Sequence, residues 1–162
     1  MRGLAAGSEL MGATMSDELV QAEADALLAM PKKYAEVASV QLPDRGKCAV
    51  DLEGIGNKRE RFSLDINRSY ISFSKITYQN RARSVVVLAR LDIDGAPHRN
   101  PDDEEIACPH LHLYREGFGD KWAFPLPLGI FSDPADRWKT LQEFMDYCKI
   151  VEAPSFERGL LW

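Results

Sequence analysis

The sequence predicts an α+β domain, a central antiparallel β-sheet flanked by an N-terminal and a C-terminal helix. Three observations carry this. Apolar residues fall at helical spacing near the two ends of the chain. Between residues 47 and 115 apolar and polar residues alternate with a period of two. Turn-forming residues cut that middle stretch into hairpin lengths.

Residues 1–15 read as a disordered leader, and residues 16–162 as one domain. Ser16-Asp17-Glu18 is a helix start, with a capping serine and acids in the first turn. Leu19, Ala22, Ala26, Leu27 and Met30 continue it at helical spacing, and Pro31 stops it. A short element follows up to Val40, and Pro43-Asp44-Arg45-Gly46 turns the chain.

Cys48, Val50 and Leu52 alternate up to a turn at Gly54–Asn57, and Phe62, Leu64 and Ile66 form a half-buried strand. Tyr70 to Tyr78 is a third strand and Gln79-Asn80-Arg81-Ala82 a turn. Ser84 to Ile93 is apolar on both faces at its start, as a central strand is, and later presents Arg90 and Asp92 on its polar face. Cys108 to Arg115 is the next strand, Gly117–Asp120 a turn, and Lys121–Phe124 a last short strand stopped by Pro125 and Pro127. Asp133 and Pro134 open the final helix as cap and first residue. Trp138, Leu141, Phe144 and Cys148 line one face of it.

Hydrophobic content of 45% and charged content of 28% are those of an ordinary globular protein. No apolar run is long enough for a spanning helix. The N-terminus lacks a signal-peptide core, so the expected location is cytoplasmic. Cys48, Cys108 and Cys148 are odd in number and far apart, which argues against a disulfide framework. The net charge of −5 is uneven: residues 67–90 hold five basic residues and no acid, while the other 138 hold 15 basic and 25 acidic. Such a stripe suits an anionic partner, as it suits the solvated outer face of a strand.

All three histidines lie within fifteen residues. In His110-Leu111-His112-Leu113-Tyr114 the alternation puts His110, His112 and Tyr114 on one strand face, with the leucines toward the core. Imidazole alone titrates near neutrality unperturbed, so this face can hold a metal, move protons or grip phosphate. If the strands on either side pair as a hairpin, the fourteen-residue connection Asp94–Ala107 brings His98 and Arg99 to the same mouth.

Three chemistries fit. In the first, RNA is cleaved without metal or other cofactor, His110 and His112 acting as acid and base with Tyr114 as a supporting donor. Lys75, Arg81, Arg83, Arg90, His98, Arg99 and Lys121 would then contact phosphate, and Tyr78, Tyr114 and Trp122 would stack bases. In the second, His110 and His112 ligate a metal with His98, Cys108 or Asp102. In the third, the same residues bind a protein or nucleic-acid partner with no chemistry. No phosphate loop, nucleophile elbow or C-x-x-C pair is present.

Leu64-Asp65-Ile66-Asn67-Arg68, Thr77-Tyr78-Gln79-Asn80-Arg81, Leu91-Asp92-Ile93-Asp94-Gly95 and Cys108-Pro109-His110-Leu111-His112-Leu113-Tyr114-Arg115-Glu116-Gly117 resemble a family of small bacterial and phage-associated proteins of unassigned function. The resemblance spans residues 60–127. It implies a role in bacterial conflict, such as the toxin of a toxin–antitoxin pair, with an RNA, antitoxin or host protein as partner.

Overall fold

The computed structural model describes residues 18–162. The expected leader and most of the expected Ser16-Asp17-Glu18 start lie outside the described residues. The elements are α1 (Gln21–Ala29), β1 (Lys32–Tyr34), β2 (Val40–Leu42), β3 (Gly46–Gly54), β4 (Asn57–Arg68), β5 (Ile76–Ala82), β6 (Val86–Ile93), β7 (His98–Arg99), β8 (Glu105–Ile106), β9 (His110–Arg115), β10 (Gly119–Pro125), α2 (Arg137–Tyr147), β11 (Ile150–Glu152) and β12 (Phe156–Arg158). The chain is mostly β. Eight strands form one sheet in the order β10-β9-β6-β5-β4-β3-β1-β11, antiparallel throughout except for β1 with β11.

Several expected elements move. The β4–β5 hairpin turns through residues 69–75, and Gln79–Ala82, expected as a turn, lies inside β5. Those polar residues pair because Thr77, Gln79 and Arg81 point to a polar sheet face, and buried Asn80 donates its amide to the Ser63 carbonyl. The turn falls instead at residues 83–85, a three-residue loop between the paired Ala82 and Val86, with positive φ at Arg83 and Ser84. Helix α1 begins at Gln21, with no side-chain cap from Val20. Its entry is held from the other end of the sheet: Tyr114 Oη accepts from Leu19 N–H and donates to Leu19 O, and Glu116 accepts from Gln21 N–H. Helix α2 starts one turn later than expected, capped by Asp136, which accepts from Lys139 N–H.

The helices do not bracket the sheet. Ala24 and Leu27 of α1 and Leu141, Phe144 and Met145 of α2 join one core with Leu64, Ile66, Ile76, Tyr78, Leu91 and Leu111. The opposite face carries polar side chains in cross-strand register. One row reads Lys47, Asn67, Thr77, Asp92, His110; the next reads Ala49, Asp65, Gln79, Arg90, His112. The Asp94–Ala107 connection folds over the β9–β10 end of this face. Its buried Asn100 bonds to both the N–H and the C=O of Ala123, as a neighbouring strand would, and covers the β10 edge.

A second polar feature lies in the core. Lys32, fully buried, donates to the carbonyls of Leu28, Met30 and Cys148 at 2.8–3.0 Å and sits 4.6 Å from the Phe62 ring centroid. It ties the C-terminal turn of α1 to that of α2.

Candidate functional site

Pairing of β6 with β9 sets Asp92 opposite His110 and Arg90 opposite His112. His110 and His112 are 2% and 1% exposed, so the face expected to be open is closed over them. His98 arrives with the connection, as the hairpin geometry required. Its ring centroid lies 4.5 Å from that of His112 and 5.9 Å from that of His110.

The hydrogen bonds assign the tautomers. His112 Nδ1 donates to Asp120 O at 2.9 Å, and His110 Nδ1 to Ala107 O at 3.3 Å, because a carbonyl only accepts. Both Nε2 atoms face the same oxygen: Asp92 Oδ2 is 3.3 Å from His112 Nε2 and 3.5 Å from His110 Nε2, so each ring presents a lone pair there when neutral and an N–H when protonated. Asp92 Oδ1 accepts from Thr77 Oγ1 at 2.8 Å. Arg90 donates Nε to Asp92 at 3.2 Å and Nη2 to His112 Nε2 at 3.0 Å, and its Nη1 pairs with Asp120.

Burial by itself raises the Asp92 carboxyl, but the His112 contact, the Arg90 charge and the Thr77 hydroxyl outweigh it and hold the group well below the carboxylate range. Burial pushes the His110 imidazole down, and the neighbouring His112 adds to this. At neutral pH the result is a carboxylate beside a neutral imidazole. Asp92 Oδ2 and the two imidazole Nε2 atoms converge, with one guanidinium, Arg90, among them. Lys75, Thr77, Arg90, His98 and His110 line the pocket that opens here.

The remaining sequence candidates divide. Lys75 lines the pocket, and Arg90 is in the cluster. Tyr114 leaves the histidine face: its hydroxyl is used by Leu19, and it lies in the core cluster, near where the β9–β10 register shifts. Tyr78 is wholly buried, donates to Arg137 O, and offers no stacking plane. The arginines of the basic stripe are balanced by acids: Arg81 by Asp65, and Arg83 by Glu23 and Glu60. Arg99 points away to Asp103 and Glu105. Lys121 gives its carbonyl to His98 Nε2 at 2.8 Å. Half-buried Trp122 lies under the Arg115 guanidinium, 4.3 Å away.

Among the metal candidates, Cys108 donates to Asp92 O and accepts from Gly95 N–H, so its thiol braces the loop instead of joining the imidazoles. Asp102 is at the exposed loop tip. The acid that completes the set is Asp92, whose ligand oxygen lies with the two imidazole nitrogens inside 4.8 Å. A search along the histidine strand misses it, because it is one strand over. The signal was the polar-face parity of Asp92 together with a β6–β9 hairpin register.

Residues 19–150 match the family of unknown function DUF6978, and the chain belongs to that family. No curated protein and no solved structure matches it. No helix among the described residues is long and apolar enough to cross a membrane.

Proposed function

We propose that Asp92, His110 and His112 hold a divalent metal ion, and that the chain uses it to hydrolyse phosphodiester bonds of RNA. One observation supports this above the rest: two imidazoles, each anchored by a carbonyl on Nδ1, aim both Nε2 atoms at one carboxylate oxygen. With the rings neutral, that arrangement needs a cation between the three groups. Carbonyl-anchored histidines are the usual outer support of a metal site, and two imidazoles with one carboxylate leave coordination positions open. An ion held there would lower the pKa of a bound water and supply the nucleophile for the phosphodiester, the displaced ester oxygen taking up the proton that the water gives up. His98, its ring centroid 4.5 Å from that of His112, would carry that proton, and Lys75 would offset charge on the phosphoryl group.

A second reading, metal-free cleavage by the histidine pair, is favoured by Arg90, which already brings a positive charge to Asp92 and His112. In either form the motif resemblance to phage-associated proteins suits a conflict role. The test is cleavage of a labelled RNA after chelation and after adding back Zn²⁺, Mn²⁺ or Co²⁺. The proposal expects activity to vanish with chelator, return with one of these ions, and fall at least ~100-fold in Asp92→Asn. Cleavage that persists in chelator but is lost in His110→Ala moves the assignment to the second reading. No cleavage under any condition removes both and leaves a binding protein.

A further inference from the structure

The polar face does not end at the metal ligands. The row from His110 continues through Asp92, Thr77 and Asn67 to Lys47, five side chains on five adjacent strands. At 4.7–4.9 Å per strand it is about 19 Å long. Burial falls along it, from 2% exposed at His110, through half-buried Asp92 and Thr77, to exposed Asn67 and Lys47. Two pockets lie along this track and share Thr77 as a wall. One opens over His110, Lys75 and His98, the other over Lys47, Asn67 and Gln79.

The charges along the track are sorted. Arg81 is balanced by Asp65, and Arg90 by Asp92 and Asp120. Lys47 and Lys75, one per pocket, take no part in the ion pairs found among the described residues. Between Asn67 and Lys75 the β4–β5 connection exposes Tyr70 and Phe73. Two unpaired cations, side-chain amides that both donate and accept, and the exposed Tyr70 ring, beside a Phe73 ring stacked under Arg45 at 4.1 Å, are a set that suits an unpaired nucleotide strand.

We infer that this track binds single-stranded RNA across the strands of the sheet, with Lys47 and Lys75 on successive phosphates and the buried histidine end receiving the bond to be cut. The inference names the substrate of the site proposed above and rests on that reading for the position of the cut. The binding itself needs no metal.

The probe is a 5′-labelled hexauridylate followed by fluorescence anisotropy in chelator, with zinc titration of the same protein samples. Wild type is expected to bind. Lys47→Ala and Lys75→Ala should each weaken binding about 3–10-fold and lower the salt dependence by about one ion. Lys58→Ala, at the far end of the β3–β4 hairpin, should bind as wild type, and neither Lys47→Ala nor Lys58→Ala should alter the zinc titration. Absence of binding overturns the inference. So does an equal loss in Lys58→Ala, or displacement of the RNA by polyglutamate at equal charge concentration. If zinc fails to bind while RNA binding depends on both lysines, the inference stands and the metal centre falls. If zinc binds and RNA does not, the reverse holds.

Discussion

Two buried polar clusters sit on opposite faces of the same sheet, and they differ in how their hydrogen bonds balance. At Lys32 three N–H groups meet three carbonyl oxygens. Every donor has an acceptor, so the cluster is complete as protein alone. At Asp92 the balance fails when the imidazoles are neutral: two Nε2 atoms and a carboxylate oxygen then face one another as acceptors, and Arg90 reaches only two of the three. Buried polar groups left facing like groups are costly. A satisfied cluster holds the fold together, and one short of a cation is built for something that arrives.

The comparison breaks most visibly at Lys32. Lys32→Met leaves three carbonyls buried without donors and should cost about 3 kcal/mol or more, read as a lower urea midpoint with zinc titration unchanged. A loss below about 1 kcal/mol would show that water reaches those carbonyls. Arg90→Met probes the other side. Without its guanidinium Asp92, His112 and Asp120 lose their shared donor, and the metal-free protein should lose about 2 kcal/mol. Zinc should then bind several-fold more tightly, because the competing cation is gone. Weaker zinc binding would make Arg90 a support of the metal centre instead of its competitor.

Asn100→Ala tests a smaller satisfied group. Losing both bonds to Ala123 should cost about 1–2 kcal/mol and loosen the loop that carries His98, seen as faster amide exchange at Ala123. The smallest effect is pH-dependent. Burial pulls Lys32 down to about 8 from 10.5. Between those values the unfolded chain holds a proton that the folded chain has released, so stability rises with pH across this window. Because the buried Cys148 thiol, pushed up to about 12, works in the opposite direction in both proteins, the test is the difference: from pH 8 to 10 the wild-type urea midpoint should climb modestly relative to that of Lys32→Met.

Much of the sheet was legible because alternation reports burial: Phe62, Leu64 and Ile66 face the core as their spacing required. Strand β5 was obscured because Gln79-Asn80-Arg81 has turn-like composition, and what pairs it is a polar face invisible to a hydrophobic pattern. The bracketing helices were misjudged for the same reason, since the second face of the sheet is a polar track and not a second core. At the site, convergence of His98, His110 and His112 followed from strand parity and loop length. Asp92 did not, because its role depends on inter-strand register. Tyr114 left the set when its hydroxyl was taken up by Leu19, a contact 95 residues away in sequence.

The central claim is that Asp92, His110 and His112 form a cation site, and zinc titration by calorimetry tests it most directly. The chelator-stripped wild type should bind one Zn²⁺ per chain, and Asp92→Asn, with its fold intact by circular dichroism, should bind at least ~100-fold more weakly, about 2.7 kcal/mol. Wild type that takes up no stoichiometric zinc, or an Asp92→Asn variant that binds it equally well, would contradict the account.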